Sequence, residues 1–185
     1  WGQKGINPLI QDLVLEGTDK YPREEVTNKM YELAMGWGAY GSRDNRDITY
    51  YYSELPIEEL EFGLDFESDR MKNIIITNDV LIDAKKKFKV RYDEYHDNYI
   101  WVTLNGGLSK LLPQEHPYKI DDYGIWEQID SLSVKTCQQF YDQYYAPNNA
   151  VLVVVGNIIP EDATKLIYKY FGSIEPSEHL PPDPD

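Results

Sequence analysis

Apolar positions recur at helical spacing near the start of the chain. They fall at i, i+3, i+4, i+7 and i+8, and they are Ile6, Leu9, Ile10, Leu13 and Val14. This pattern predicts a helix with one buried face. Asn7 followed by Pro8 is typical of an N-cap with proline at the first helical position, so we expect the helix to begin there.

The same periodicity, together with the positions of Ser, Pro and Gly, predicts further elements. Helices are expected over residues 23–34, 56–71, 78–95, 102–112 and 133–144, with a last helix that starts at Pro160 and is closed by Gly172. The β-branched and aromatic segment 48–53 predicts a strand, and so does the apolar segment 150–155. Many helices with few strands favour an α+β fold built in layers.

The expected helix over residues 56–71 carries acidic side chains opposite its apolar face. They are Glu58, Glu59, Glu61, Asp65, Glu67 and Asp69. A run of this kind is normally a solvated face. We therefore expect these carboxylates to be exposed on the surface or to line an acidic cavity wall.

Composition narrows the range of functions. The chain has 32 Asp and Glu residues against 18 Lys and Arg, a net charge of −14 that repels phosphate backbones and anionic headgroups. We expect no nucleic-acid partner and no membrane partner, since no apolar run approaches the length of a membrane span. The single cysteine, Cys137, excludes an internal disulfide framework and a multi-cysteine zinc site.

The two ends of the chain suggest its place in a longer protein. The sequence opens at Trp1 without a targeting signal, and we expect it to be a piece of a longer chain. Residues 176–185 hold four prolines and almost nothing apolar, which is typical of an extended linker. The expected organisation is one domain over residues 1–175 and a Pro-rich linker over 176–185 that leads to a following domain.

Several segments, taken in order, resemble the insulinase/pitrilysin family of metallopeptidases. Residues 5–18 resemble the family's helix Gly-x-x-His-x-x-Glu-His with its following Gly-Thr, and residues 39–44 with 50–52 resemble its strand pair. Residues 64–71 resemble its Leu-x-Leu-Glu-Ala-Asp-Arg-Met helix. His116-Pro117-Tyr118 and the segment from Tyr144 to Gly156 follow in family order, and the last is nearly verbatim. The resemblance covers residues 5 to about 175.

The chain departs from the family at the residues that carry the chemistry. In the inverted zinc motif two histidines bind zinc and the glutamate between them polarises a water. The matching positions here are Pro8, Gln11 and Asp12, while Glu94 matches the third-ligand glutamate of a later helix. The resemblance thus implies that the zinc of intact family members is lost here. We expect no catalytic residue, metal ligand or cofactor in this chain.

The edge strand that holds substrate in the family also departs from its pattern. It corresponds here to Gly38, Ala39, Tyr40, Gly41 and Ser42, with glycines where the family has an asparagine and a threonine. The backbone of these residues can still add a strand to a peptide, because that mode of binding uses N–H and C=O groups. They are the candidate substrate-binding residues.

The resemblance implies a two-layer α/β sandwich in which helices pack on a mixed, mostly antiparallel sheet, here without its first strands. The implied function is a non-catalytic module that shapes a peptidase chamber or binds unstructured peptides for an active partner of the same family, as a homo- or hetero-oligomer. Two alternatives stay open. One is a structural scaffold subunit without peptide binding. The other is an active metalloendopeptidase whose site another chain completes or which uses Asp12, Glu94 and His96. The bacterial periplasm is the favoured compartment.

Overall fold

The computed structural model describes residues 4–33, 40–45, 48–113, 116–119 and 123–180. Within these ranges it contains eight α-helices, three 3-10 turns and two strands. The helices are α1 (Ile6–Leu15), α2 (Arg23–Glu32), α3 (Leu60–Arg70), α4 (Asn78–Asp97), α5 (Tyr99–Lys110), α6 (Trp126–Asp130), α7 (Val134–Tyr144) and α8 (Pro160–Phe171). The strands are β1 (Tyr40–Asn45) and β2 (Ile48–Ser53), and the 3-10 turns are Ile57–Glu59, Pro117–Lys119 and Pro147–Asn149.

Local capping signals account for the helices that the sequence predicts best. Thr77 accepts a hydrogen bond from the Val80 N–H at the start of α4, and Ser133 accepts one from the Thr136 N–H at the start of α7. Pro160 occupies the first turn of α8, where its missing N–H is not needed. These three helices confirm the sequence predictions to within two residues.

Other boundaries differ from those predicted. Helix α1 begins at Ile6, so Pro8 lies inside its first turn and not at its first position. Proline is tolerated there because the first four N–H groups of a helix have no intrahelical acceptor. The predicted helix over residues 56–71 starts as the 3-10 turn Ile57–Glu59 and becomes α-helical at Leu60. The short helix α6 was not predicted.

The described strands form one two-stranded sheet of β1 and β2. Only two residues separate these strands along the chain, which requires an antiparallel pair. The predicted strand over residues 150–155 is not formed in the described part of the chain, and its Val151, Val153 and Val155 are 89%, 73% and 89% exposed. The described residues are therefore mostly helical, and they do not confirm the mixed sheet of a sandwich.

The chain divides into two compact units. Unit 1 comprises residues 1–13, 43–50 and 76–137. In this unit α4 packs against α5 and α6. Its fully buried side chains include Leu9, Ile10, Phe88 and Ile129. The buried face of α1 predicted from the sequence is thus confirmed.

Unit 2 comprises residues 14–42, 51–75 and 138–185. Its hydrophobic core brings α2 and α3 together, and the residues in it are Val26, Met30 and Phe66, with Tyr21, Leu55 and Phe62 packed against them. Helix α3 also packs against α8, where Lys169 and Tyr170 both donate to the Glu61 carboxylate. At the start of the predicted linker, Asn148 exchanges hydrogen bonds with the backbone of Ser177 at 2.9 and 3.0 Å.

Candidate functional site

Helix α1 places in unit 1 the three positions that the sequence resemblance matches to the zinc motif. Pro8 is half-buried in the first turn of the helix, and Gln11 is buried at 9% exposure. The side chain of Asp12 is 20% exposed. The first turn is held in place by Asn7, whose Nδ2 donates to Thr49 Oγ1 of β2 at 3.1 Å. Helix α1 therefore forms where the sequence predicts a helix. It carries Pro8, Gln11 and Asp12 where the resemblance places the residues of the zinc motif.

The Asp12 carboxylate is engaged by an arginine of α4. Arg91 Nη2 donates to Asp12 Oδ2, so an ion pair links α1 to α4 within unit 1. The Arg91 guanidinium also lies over the ring of Phe88, 5.6 Å from its centroid. Sequence reasoning missed this pair, because nothing in the spacing of residues 12 and 91 indicates that they meet.

The remaining candidate ligands do not complete a metal site. Glu94 lies on α4 one turn after Arg91, and it is exposed. His96 stacks on Tyr92 with ring centroids 4.0 Å apart, and its Nδ1 lies 2.7 Å from the Tyr92 carbonyl oxygen. In the part of the chain that the structure describes, no group of three or more His, Cys, Asp or Glu residues could hold a metal ion.

The donor set does not fit a zinc ion. Proline offers no lone pair, glutamine cannot act as a general base, and the one carboxylate of α1 is paired with Arg91. The alternative site of Asp12, Glu94 and His96 meets the same difficulty, since Asp12 is already engaged by a cation. The geometry thus supports ion pairing between two helices and gives no basis for metal-assisted hydrolysis at these described positions of unit 1.

The candidate substrate-binding residues lie at the start of β1. Tyr40, Gly41 and Ser42 belong to this strand, whereas Gly38 and Ala39 lie outside the described residues. One edge of β1 pairs with β2. Strand addition by a peptide would use the opposite edge of β1.

Most carboxylates of the acidic face, which we expected to be exposed or to line an acidic cavity wall, contact neighbouring side chains, and Glu58 and Glu61 are exposed. Lys20 donates to the Asp65 carboxylate at 2.6 Å, and Tyr21 donates to it at 2.9 Å. Ser53 donates to Glu67 at 2.7 Å. Thr18 donates to Asp69, and Lys29 pairs with Glu59 at 2.9 Å. These carboxylates hold α3 to its neighbours in unit 2, so they offer little free charge to a ligand.

A buried arginine at the end of α3 contacts a glutamate and a tyrosine of unit 2. Arg70 is 2% exposed and pairs with Glu67, and its guanidinium lies 4.6 Å from the ring centroid of Tyr51. The Tyr51 and Tyr145 hydroxyls lie 2.9 Å apart, and Tyr141 donates to the Arg70 carbonyl at 2.8 Å. Burial raises the pKa of Tyr51 and of Tyr141 well above the ordinary value for tyrosine. The Glu-x-x-Arg spacing is the sequence signal for this network.

Burial makes the thiol of Cys137 unreactive. Cys137 is 0% exposed on α7, and burial raises its pKa to about 11. The thiol is thus protonated at neutral pH, and only the thiolate is a nucleophile or a metal ligand.

Comparison with known proteins shows where this arrangement belongs. The family model "Peptidase M16 inactive domain" matches residues 131–185. A probable zinc protease, PqqL, from Haemophilus influenzae is 24% identical over 89% of the chain, which spans 18% of that relative. The fold matches the periplasmic protease PqqL from Escherichia coli with a TM-score of 0.83 at 17% identity, over 98% of the chain and 20% of that structure. A peptidase M16 inactive domain from Pseudomonas fluorescens matches with a TM-score of 0.82 at 17% identity, over 100% of the chain and 44% of that structure.

The fold is similar to that of peptidase M16 domains, and the positions that the sequence resemblance matches to the zinc motif hold Pro8, Gln11 and Asp12. The chain is similar to the insulinase/pitrilysin family of peptidases, peptidase family M16, whose inactive-domain model matches its residues 131–185. It spans less than half the length of these relatives. None of its described helices is both long enough and apolar enough to cross a bilayer.

Proposed function

We propose that this chain is a non-catalytic module of an M16 peptidase, which binds unstructured peptide substrate or shapes the chamber for an active partner module. The observation that carries the proposal is the replacement of the zinc-binding positions by Pro8, Gln11 and an Asp12 that is paired with Arg91. A hydrolytic zinc site needs three protein ligands and an open position for water. Unit 1 offers neither in its described residues.

The match to a family described as an inactive domain supports this assignment. Relatives of the chain are named zinc proteases and extend well beyond the region that it covers. We therefore place the hydrolytic site in another module, in the same polypeptide or in a partner subunit. The bacterial periplasm is the proposed compartment, since a relative of the same fold is a periplasmic protease.

The exposed apolar segment 150–155 supports a partner as well. Val151, Val153 and Val155 are three alternate residues with high exposure, and the adjoining Ala150 has extended backbone angles of φ −133° and ψ 153°. Segments of this composition favour β-structure, and an unpaired one is normally covered by another strand. We propose that this segment is a strand of the mixed sheet of a two-layer sandwich and pairs with a strand outside the described residues. The domain is then residues 1–175, with 176–185 as the linker.

Peptide binding without cleavage tests the proposal. The purified chain should bind a fluorescein-labelled, reduced and unfolded peptide in an anisotropy titration, and mass spectrometry should find the peptide intact afterwards. A folded protein similar in size to the labelled peptide serves as the matched competitor and should not displace that peptide. No peptide binding at all would favour a scaffold subunit, and cleavage that a zinc chelator abolishes would contradict the proposal.

A further inference from the structure

The ion pair between Arg91 and Asp12 joins the two helices that carry the altered ligand positions. Asp12 stands at the second histidine position of the inverted zinc motif, and Glu94, one helical turn after Arg91, stands at the third-ligand position. In an intact site the metal ion links these same two helices. In unit 1 a guanidinium provides that link.

Contacts with Asp12 and with the ring of Phe88 hold the Arg91 guanidinium between α1 and α4. The side chain of Asp12 is 20% exposed and that of Arg91 is 44% exposed, so the pair is partly shielded from water. Phe88, under the guanidinium, is 1% exposed and fixed in the core. Arginine keeps its charge at any pH that the protein experiences. The guanidinium that links α1 and α4 therefore stays charged and can pair with the Asp12 carboxylate whenever that group is ionised.

We infer that Arg91 takes the place of the metal ion in this module, because it supplies the positive charge shared by α1 and α4 and excludes a divalent cation from it. The inference rests on the proposed function, in which positions 8, 11 and 12 are former ligand positions. Repulsion between a divalent cation and a guanidinium about 4 Å apart weakens binding more than tenfold, even in a medium as polar as water. Arg91 is thus a positioning residue for the two helices.

Restoring the zinc motif alone should not restore tight zinc binding. The substitutions Pro8→His, Gln11→Glu and Asp12→His recreate the inverted motif with Glu94 as third ligand, because histidines at i and i+4 share a helix face. They also leave Arg91 beside the new imidazole without its carboxylate partner. We expect this triple variant to bind zinc poorly and to bind it at least tenfold more tightly once Arg91→Gln is added.

The experiment compares zinc binding by the triple variant alone, with Arg91→Gln, and with Lys87→Gln. Lys87 lies one turn before Arg91 on α4 and pairs with Asp83 of the same helix at 2.7 Å, so Lys87→Gln makes the same change in charge at an ion pair that lies within α4. Calorimetric titration with zinc chloride and the zinc-dependent rise in Tm are the readouts, with circular dichroism as the check on folding. Only the Arg91→Gln combination should take up zinc tightly.

Equal zinc affinity in the three variants, or no zinc binding in the Arg91→Gln combination, would overturn the inference. Zinc binding by the unaltered chain would instead overturn the proposed function. A second measurement does not depend on the multiple variants. In the unaltered chain Arg91→Gln should lower the urea unfolding midpoint more than Lys87→Gln does, and Asp12→Asn should remove most of that difference. An identical response to both substitutions would also count against a linking role for Arg91.

Discussion

At the scale of single residues, the side chains at three positions of α1 determine whether unit 1 can bind zinc. The sequence resemblance implies that two imidazoles and a general base are lost at Pro8, Gln11 and Asp12, and proline and glutamine lack the necessary chemistry wherever they lie. The partner of Asp12 is not readable, because Arg91 is 79 residues away and their meeting depends on how α1 packs against α4. The resemblance thus implies which ligands are missing, and the structure shows that Asp12 is paired with Arg91.

Buried tyrosine hydroxyls make the stability of unit 2 sensitive to alkaline pH. Burial raises the pKa of Tyr141 above the ordinary value of 10.0, so folding favours its neutral form. That contribution is complete below the unfolded-state pKa of about 10 and is lost as pH rises toward the higher pKa of the folded state. The unfolding free energy should therefore fall as pH rises above about 10.

Tyr141→Phe tests this origin of the alkaline sensitivity. The unfolding free energy of the variant should be about 1 kcal/mol lower at pH 7, because the Tyr141 hydroxyl that donates to the Arg70 carbonyl is removed. When pH is raised, this free energy should fall less in the variant than in the unaltered protein. Tyr168→Phe is the control, since Tyr168 is 74% exposed and should leave both values unchanged. Urea unfolding at pH 7 and pH 11 gives the comparison. An unchanged pH response in Tyr141→Phe would place the sensitivity elsewhere.

At the scale of elements, the helices with local signals and the strand over residues 48–53 were predicted correctly, whereas the predicted strand over residues 150–155 is not formed in the described part of the chain. Helices α4, α7 and α8 begin at Thr77, Ser133 and Pro160 signals that act over one turn of chain. The segment 150–155 has the composition of a strand, yet a strand forms only when another strand supplies hydrogen bonds. Composition therefore predicted its preference and could not predict its pairing.

The turn before α6 depends on a glycine that the sequence did not single out. Gly124 has φ +78°, and a Cβ there would lie 2.4 Å from Gly5 Cα. Gly124→Ala should destabilise unit 1 by more than about 2 kcal/mol, because both the backbone conformation and the close approach exclude a side chain. A Cβ at Gly106 of α5 would meet no heavy atom within 4 Å, so Gly106→Ala should stabilise by about 0.5–1 kcal/mol. Equal stability of the two variants in urea unfolding would contradict this account.

At the scale of the whole molecule, the described residues form two units with a two-stranded sheet. The family resemblance predicted a two-layer sandwich; the structural matches support the fold of a peptidase M16 domain, but the described residues do not confirm the mixed sheet of the sandwich. The extent of the sheet could not be predicted from this chain, because sheet strands can come from residues far apart in sequence or from another polypeptide. The same reason accounts for the exposed valines of segment 150–155, since we propose that the strand pairing with this segment lies outside the described residues.

The exposed segment 150–155 should drive association of the isolated chain. We expect sedimentation velocity to show concentration-dependent species larger than the monomer, since unpaired apolar strands recruit partners. Val153→Lys should shift the distribution toward monomer because it places a charge in the exposed segment, where Val153 is 73% exposed. Ile82→Lys on α4, at a residue 51% exposed, is the matched control and should have no such effect. A monomeric unaltered chain at high concentration would remove the basis for this prediction.

The metal content of the purified protein tests most directly the proposal that this chain is a non-catalytic module without zinc chemistry of its own. The chain, prepared without chelators and loaded with excess zinc before desalting, should contain far less than one zinc per molecule and should cleave no peptide. Its Tm should not rise with zinc concentration, because an ion that does not bind the folded form cannot stabilise it. Stoichiometric zinc, with peptidase activity that disappears on chelation and returns on adding zinc, would contradict the account.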